Sequence, residues 1–132
     1  MAALPWTQLL AVAMGAAAGA WLRWWAGLRL NGVWLGFPLG TLLVNCVGGL
    51  MIGAAMVAFE RFPNETLRLL LVTGFLGGLT TFSAYSGESL ALLQRGHFGL
   101  ALAHTLAHVA GALGCAALGF ALGRQVLRGA GG

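Results

Sequence analysis

Four apolar runs, each long enough to cross a bilayer, follow one another with only three short polar connections between them. A helix needs about 20 residues to span the hydrocarbon core, so four such helices use most of the 132 residues. What remains suffices for turns and not for an extramembrane domain. The chain reads as one all-α membrane domain over residues 1–132. Charge agrees: 8% of the residues are charged, against roughly 25% in a soluble domain.

The first span is expected from about Leu4 to Leu28 and the second from Pro38, a residue suited to a first helical turn, to about Phe59. The third covers about Thr66 to Leu93, and the fourth about Phe98 to Leu122 with an Arg/Gly tail after it. Ala18-Gly19-Ala20 looks like a signal-peptidase site, but no basic region precedes it and the apolar run continues, so a retained helix is expected. Trp6 lies near one membrane face, and Trp21, Trp24, Trp25 and Trp34 near the other, where an aromatic belt belongs.

All seven basic residues are arginines, scattered along the chain beside apolar spans. That is anchoring to membrane lipid, not a nucleic-acid footprint. With four spans, Arg61, Arg68, Arg124 and Arg128 share one side, and Arg23, Arg29 and Arg95 share the other. Orientation follows the basic excess in short loops, and this count offers almost none. Either a partner or another cue fixes the orientation, or the chain inserts both ways; the second is expected, and such a population can pair as an antiparallel dimer. The pairs Gly15/Gly19, Gly49/Gly53 and Gly119/Gly123 let helix backbones approach closely, chiefly for packing within one subunit.

The third span contains the least regular stretch, Gly74-Phe75-Leu76-Gly77-Gly78-Leu79-Thr80-Thr81-Phe82-Ser83. Glycine costs a helix about 1 kcal/mol against alanine, and paired threonines add β-branched crowding. A break near the middle of this helix is expected, the alternative being a mere glycine kink at a tight helix crossing. Unsatisfied backbone is not tolerated against lipid, so the break must lie in protein or beside water or an ion. Freed carbonyls there suit a hard cation and freed amides an anion.

Membrane-embedded polarity gathers around this stretch. Phe82, Tyr85 and Glu88 share a drifting face after the break; Thr41, Asn45 and Gly48 share one on the second helix; His104 and His108 are one turn apart on the fourth. Polar groups within spans are functional candidates by default. Asn45 is equally readable as an interhelical hydrogen bond, Glu88 as a proton-coupling carboxylate or a neutral buried donor, and Arg23 as snorkelling or guarding a vestibule. A metal at His104 and His108 would need further ligands, which only Glu88 and the distant cysteines offer. Cys46 and Cys115 fit no CxxC or Cys/His spacing and read as small packing residues.

Three ordered motifs resemble the Fluc (CrcB) family of bacterial fluoride channels. They are Gly15-x3-Gly19-Ala20-x2-Arg23-Trp24; Pro38-x-Gly40-Thr41-x2-Val44-Asn45-x2-Gly48-Gly49; and Gly74-Phe75-x-Gly77-Gly78-x-Thr80-Thr81-Phe82-Ser83 followed by Glu88. The resemblance implies an antiparallel, dual-topology homodimer in the bacterial inner membrane, with two fluoride pathways and no enzymatic activity. It further implies a structural Na+ at the dimer centre, held by the Gly77 and Thr80 carbonyls of both subunits. Phe82, Asn45 and Arg23 match the pore aromatic, the pore asparagine and the vestibule arginine; Thr81, Ser83 and Glu88 belong to the same anion pathway. Tyr85 stands where the family usually has Phe. His104, His108 and Ala112 replace its usual hydroxyl track, so His104 and His108 are expected to line the pore and to make fluoride flux respond to pH around the ordinary imidazole range.

A rival from another class is a small proton-coupled multidrug exporter, also of four helices. That chemistry wants a carboxylate in the first helix, where this chain has only Arg23. A non-conducting scaffold would leave the Gly/Thr stretch without purpose, and no nucleophile–base pair or phosphate loop supports catalysis.

Overall fold

A computed structural model describes residues 5–34 and 36–131; the expected helix start at Leu4 lies outside them. The regular elements are helical throughout. In order they are α1 (Trp6–Leu30), α2 (Leu39–Arg61), α3 (Glu65–Arg68), a π-helical stretch (Leu69–Leu76), α4 (Gly77–Leu79), α5 (Phe82–Gln94) and α6 (Phe98–Gly129). Four helical runs, α1, α2, Glu65–Gln94 and α6, are long and apolar enough to cross a membrane.

The connections are short because local chemistry turns the chain sharply. The Asn64 side chain caps α3 by accepting the Leu67 amide at 2.9 Å. At the end of α5, Gly96 takes a left-handed φ of 76°. Its amide bonds the Leu93 carbonyl at 3.0 Å and the next amide, of His97, bonds that of Leu92 at 2.9 Å. This pair of bonds closes the helix and frees the chain to re-enter as α6.

Two close-packed helix pairs make the body. α1 lies on the third span through Gly15, Gly19, Gly74 and Gly78: a Cβ on Gly19 would fall on the Phe75 carbonyl. α2 lies on α6 through Gly49, Gly53 and Gly119: a Cβ on Gly119 would fall on the Leu50 carbonyl. Lipid tails are as apolar as leucine, so close backbone contact rather than hydrophobic burial holds such pairs together. A small core of Ala26, Val44, Leu76 and Leu79 joins them. Large side chains such as Trp6, Leu10, Met14 and Leu106 point outward.

The ends of α1, α2 and the third span fall within a few residues of the sequence expectation. α6 differs, running on to Gly129 instead of ending near Leu122. Gly123 is not a terminator here: its α-carbon faces Ala54 and Val57 on α2. Arg124 lies over the Phe120 ring at 5.7 Å, and Arg128 in the last turn suits the negative end of the helix dipole.

Candidate functional site

Two extended residues, Thr80 (φ −85°, ψ 157°) and Thr81 (φ −152°, ψ 119°), stand between α4 and α5. Side chains from other helices take over the backbone bonds that helix would have made. The Thr81 amide donates to Asn45 Oδ1 at 2.8 Å, and Asn45 Nδ2 donates to the Thr81 carbonyl at 3.0 Å. The Ala84 amide donates to the Thr81 hydroxyl at 3.0 Å, an N-cap for α5. Arg23 Nε donates to the Gly78 carbonyl at 2.9 Å. In continuous α-helix the Thr81 amide would serve Gly77 and the Ala84 amide would serve Thr80. Both are diverted, so the Gly77 and Thr80 carbonyls receive no helical i+4 donor. The Thr80 methyl occupies the space that a Cβ on Gly48 would fill.

Beside this turn a hydrogen-bonded polar chain crosses four helices. Asn31 at the end of α1 accepts the Thr41 amide at 3.1 Å. The Thr41 hydroxyl donates to Glu88 Oε1 at 2.6 Å. Glu88 Oε2 lies 3.2 Å from His104 Nε2, whose Nδ1 is 2.9 Å from the Ser89 hydroxyl. His104 is fully buried. His108, also buried, has Nδ1 at 3.0 Å from Asn45 Nδ2, while its Nε2 has no partner among the described residues. One donor atom from each of Glu88, His104 and His108 lies within 4.8 Å of the others.

An aromatic ladder runs along the same face. Phe82 and Tyr85 have centroids 5.3 Å apart. Tyr85 stacks on His104 at 5.4 Å and 14°, and lies 4.9 Å from His108. Phe37 closes the far end, edge-on to His104 at 5.4 Å. A groove of about 670 Å³ brings Asn45, Gly77, Thr80, Phe82, Tyr85 and His108 to one surface. Phe82 is 78% exposed at its rim.

The structure thus gathers Asn45, Thr81, Tyr85, Glu88, His104 and His108 into one connected cluster, with Phe82 attached through Tyr85. Ser83 is exposed, its hydroxyl 3.3 Å from that of Thr81. Arg23 is engaged with the Gly78 carbonyl, apart from the polar chain. Sequence reasoning missed Asn31, Phe37 and Ser89 as members of the cluster. Ser89 carries a signal in hindsight, since it follows Glu88 directly and a hydroxyl within a span needs a partner.

Comparison with known proteins places this architecture. The family described as CrcB-like protein, Camphor Resistance (CrcB), matches residues 10–120. A fluoride-specific ion channel FluC of Aromatoleum aromaticum is 53% identical over 114 residues, 85% of this chain and 87% of the relative. Proteins of the same name from Pseudomonas aeruginosa and Bordetella bronchiseptica are 51% identical over 110 residues and 49% over 123. The first alignment covers 82% of this chain and 87% of the relative. The second covers 92% and 94%. With a family match over most of its length and four membrane-length helices, this chain belongs to the CrcB family and is a multi-pass bacterial membrane protein.

Proposed function

We propose that this protein is a fluoride-selective ion channel, letting toxic fluoride leave down its electrochemical gradient through two pathways of an antiparallel homodimer. The observation that carries this is about half-identity, over most of the chain, to relatives named for that activity. The groove supplies the chemistry. Fluoride is small and strongly hydrated, so a pathway must replace its water with donors and weakly positive ring edges while binding loosely enough to release. Phe82 and Tyr85 offer edges, and the polar cluster offers donors.

The dimer reading rests on what the single chain leaves uncovered. Phe82, Ser83, Ser86 and Gly87 are exposed within a span. The Ser86 hydroxyl donates to the Phe82 carbonyl at 2.8 Å, whereas Ser83 has a long 3.3 Å contact to the Thr81 hydroxyl, and a weakly satisfied hydroxyl facing lipid is costly. A second copy over this face removes the cost, and the balanced arginines favour its opposite orientation. The carbonyls of Gly77 and Thr80, having lost their helical donors, are suited to hold Na+ with their copies across a two-fold axis. A fixed cation there raises the local potential for anions on either side. The multidrug-exporter reading fares worse, because α1 is lined toward the protein by Ala11, Gly15, Gly19 and Ala26, with no carboxylate.

Purified protein in liposomes, followed with fluoride- and chloride-selective electrodes, tests the function. Fluoride efflux without chloride efflux is the expected result. Equal leakage of both, or drug-driven proton exchange, would overturn it. Labelling a single introduced terminal cysteine from each side of the membrane should modify about half the copies from each face; complete labelling from one side would overturn the dual orientation.

A further inference from the structure

Asn45 decides where the His108 ring proton sits. Its amide cannot be turned over, because Oδ1 accepts the Thr81 amide at 2.8 Å and Nδ2 donates to the Thr81 carbonyl at 3.0 Å. The same Nδ2 lies 3.0 Å from His108 Nδ1. An amide nitrogen only donates, so His108 Nδ1 accepts, and the neutral imidazole then carries its proton on Nε2. That N–H is buried and without a partner among the described residues, which is rare for a donor in a folded protein. The ring is 4% exposed and lines the groove shared with Tyr85 and Phe82.

We propose that His108 Nε2–H is a binding donor for the anion in transit, and that Asn45 is the positioning residue that keeps the proton on that nitrogen. The ligand class is a small hard halide, which accepts a strong linear hydrogen bond. The inference rests on the fluoride reading above. The same tautomer speaks against a transition metal held by Glu88, His104 and His108, although their donor atoms lie within 4.8 Å. A metal on Nε2 would move the ring proton to Nδ1, against the Asn45 donor.

Three substitutions separate this role from simple support of Asn45. Glutamine places an amide nitrogen near the Nε2 position, asparagine places its amide near Nδ1, and leucine removes both. In reconstituted full-length protein, His108→Leu and His108→Asn should each lower fluoride efflux about tenfold or more, and His108→Gln should recover part of that loss. If His108 serves only as an acceptor for Asn45, the order reverses: His108→Asn rescues and His108→Gln does not, which overturns the proposal. Nitrogen-15 NMR of histidine-labelled protein gives a second readout. The His108 signal should show a protonated Nε2 that shifts when fluoride replaces gluconate, and Asn45→Asp should move the proton to Nδ1. A proton on Nδ1 in the unaltered protein, or an Nε2–H signal indifferent to fluoride, overturns the proposal whatever the variants do. An unaltered protein that passes no fluoride overturns the channel reading instead.

Discussion

Replacing Asn45 with leucine should destabilise the protein more than any other single polar substitution in the cluster. The side chain is of similar size, so little cavity forms, but three hydrogen bonds of 2.8 to 3.0 Å disappear together. Two of them satisfy both backbone groups of Thr81, which helix geometry does not. Leaving a buried amide and a buried carbonyl unpaired costs about 1–3 kcal/mol each. Polar contacts between membrane helices average nearer 0.6 kcal/mol, because the chain finds substitute partners. Three such contacts set a floor of about 2 kcal/mol, and the net loss is expected at about 2–4 kcal/mol. Reversible unfolding in mixed detergent micelles, titrated with sodium dodecyl sulfate, measures it against Leu10→Ala, a lipid-facing change on α1. Asn45→Asp keeps the acceptor for the Thr81 amide and loses both donors, so it should fall between. Hydrogen exchange at the Thr81 amide should accelerate in the leucine variant. A loss below about 0.5 kcal/mol with unchanged exchange, the range of an inconsequential surface change, would refute the idea that Asn45 holds the extended pair.

Other expectations follow from the same geometry. Gly19→Ala should cost about 1–3 kcal/mol in the same assay, because its Cβ would meet the Phe75 backbone carbonyl, whereas Gly114→Ala, open on all sides, should be neutral or slightly stabilising. His104→Ala should lower fluoride efflux, since it removes the ring that lies against Glu88, His108 and Tyr85. Undiminished efflux in that variant, measured by electrode after subtracting protein-free leakage, would count against a place for His104 in the pathway. Reconstitution with N-methylglucamine in place of sodium should reduce efflux and weaken the dimer on size-exclusion chromatography; undiminished efflux and an intact dimer would count against Na+ at the Gly77 and Thr80 carbonyls.

The spans were legible because bilayer thickness imposes them: any apolar run of that length must form a closed hydrogen-bonded helix. The polar residues of the cluster were legible for the related reason that each is costly in lipid without a partner. Which partner each takes was not. Thr41 and Asn45 share a face of α2, yet one reaches Glu88 and the other Thr81 and His108, a choice set by helix rotation. Asn31 reaches the Thr41 amide because the turn after the first span folds back onto the start of α2, which the sequence does not show. The length of α6 was misjudged because loss of apolar character was read as loss of helix, while helix ends are fixed by backbone bonds. The π-helical stretch left no mark in the sequence, since one extra residue per turn does not alter composition.

That stretch resets angular phase. Each residue of an α-helix advances its side chain by about 100°, and a π turn inserts roughly one residue's worth of rotation without adding a loop. Leu69–Leu76 lies on one side of α4 and the extended pair Thr80–Thr81 on the other. The three residues Gly77–Leu79 are therefore clocked independently of the helix before them and the helix after them. Their azimuth is dictated by neighbours: Ala16 of α1 against Gly78, and Arg23 on the Gly78 carbonyl. Deleting one residue within Leu69–Val72 would rewind the stretch toward α-helix and spare the glycine contacts further along. The same deletion between Phe82 and Glu88 in α5 would turn those two and Tyr85 out of alignment with one another.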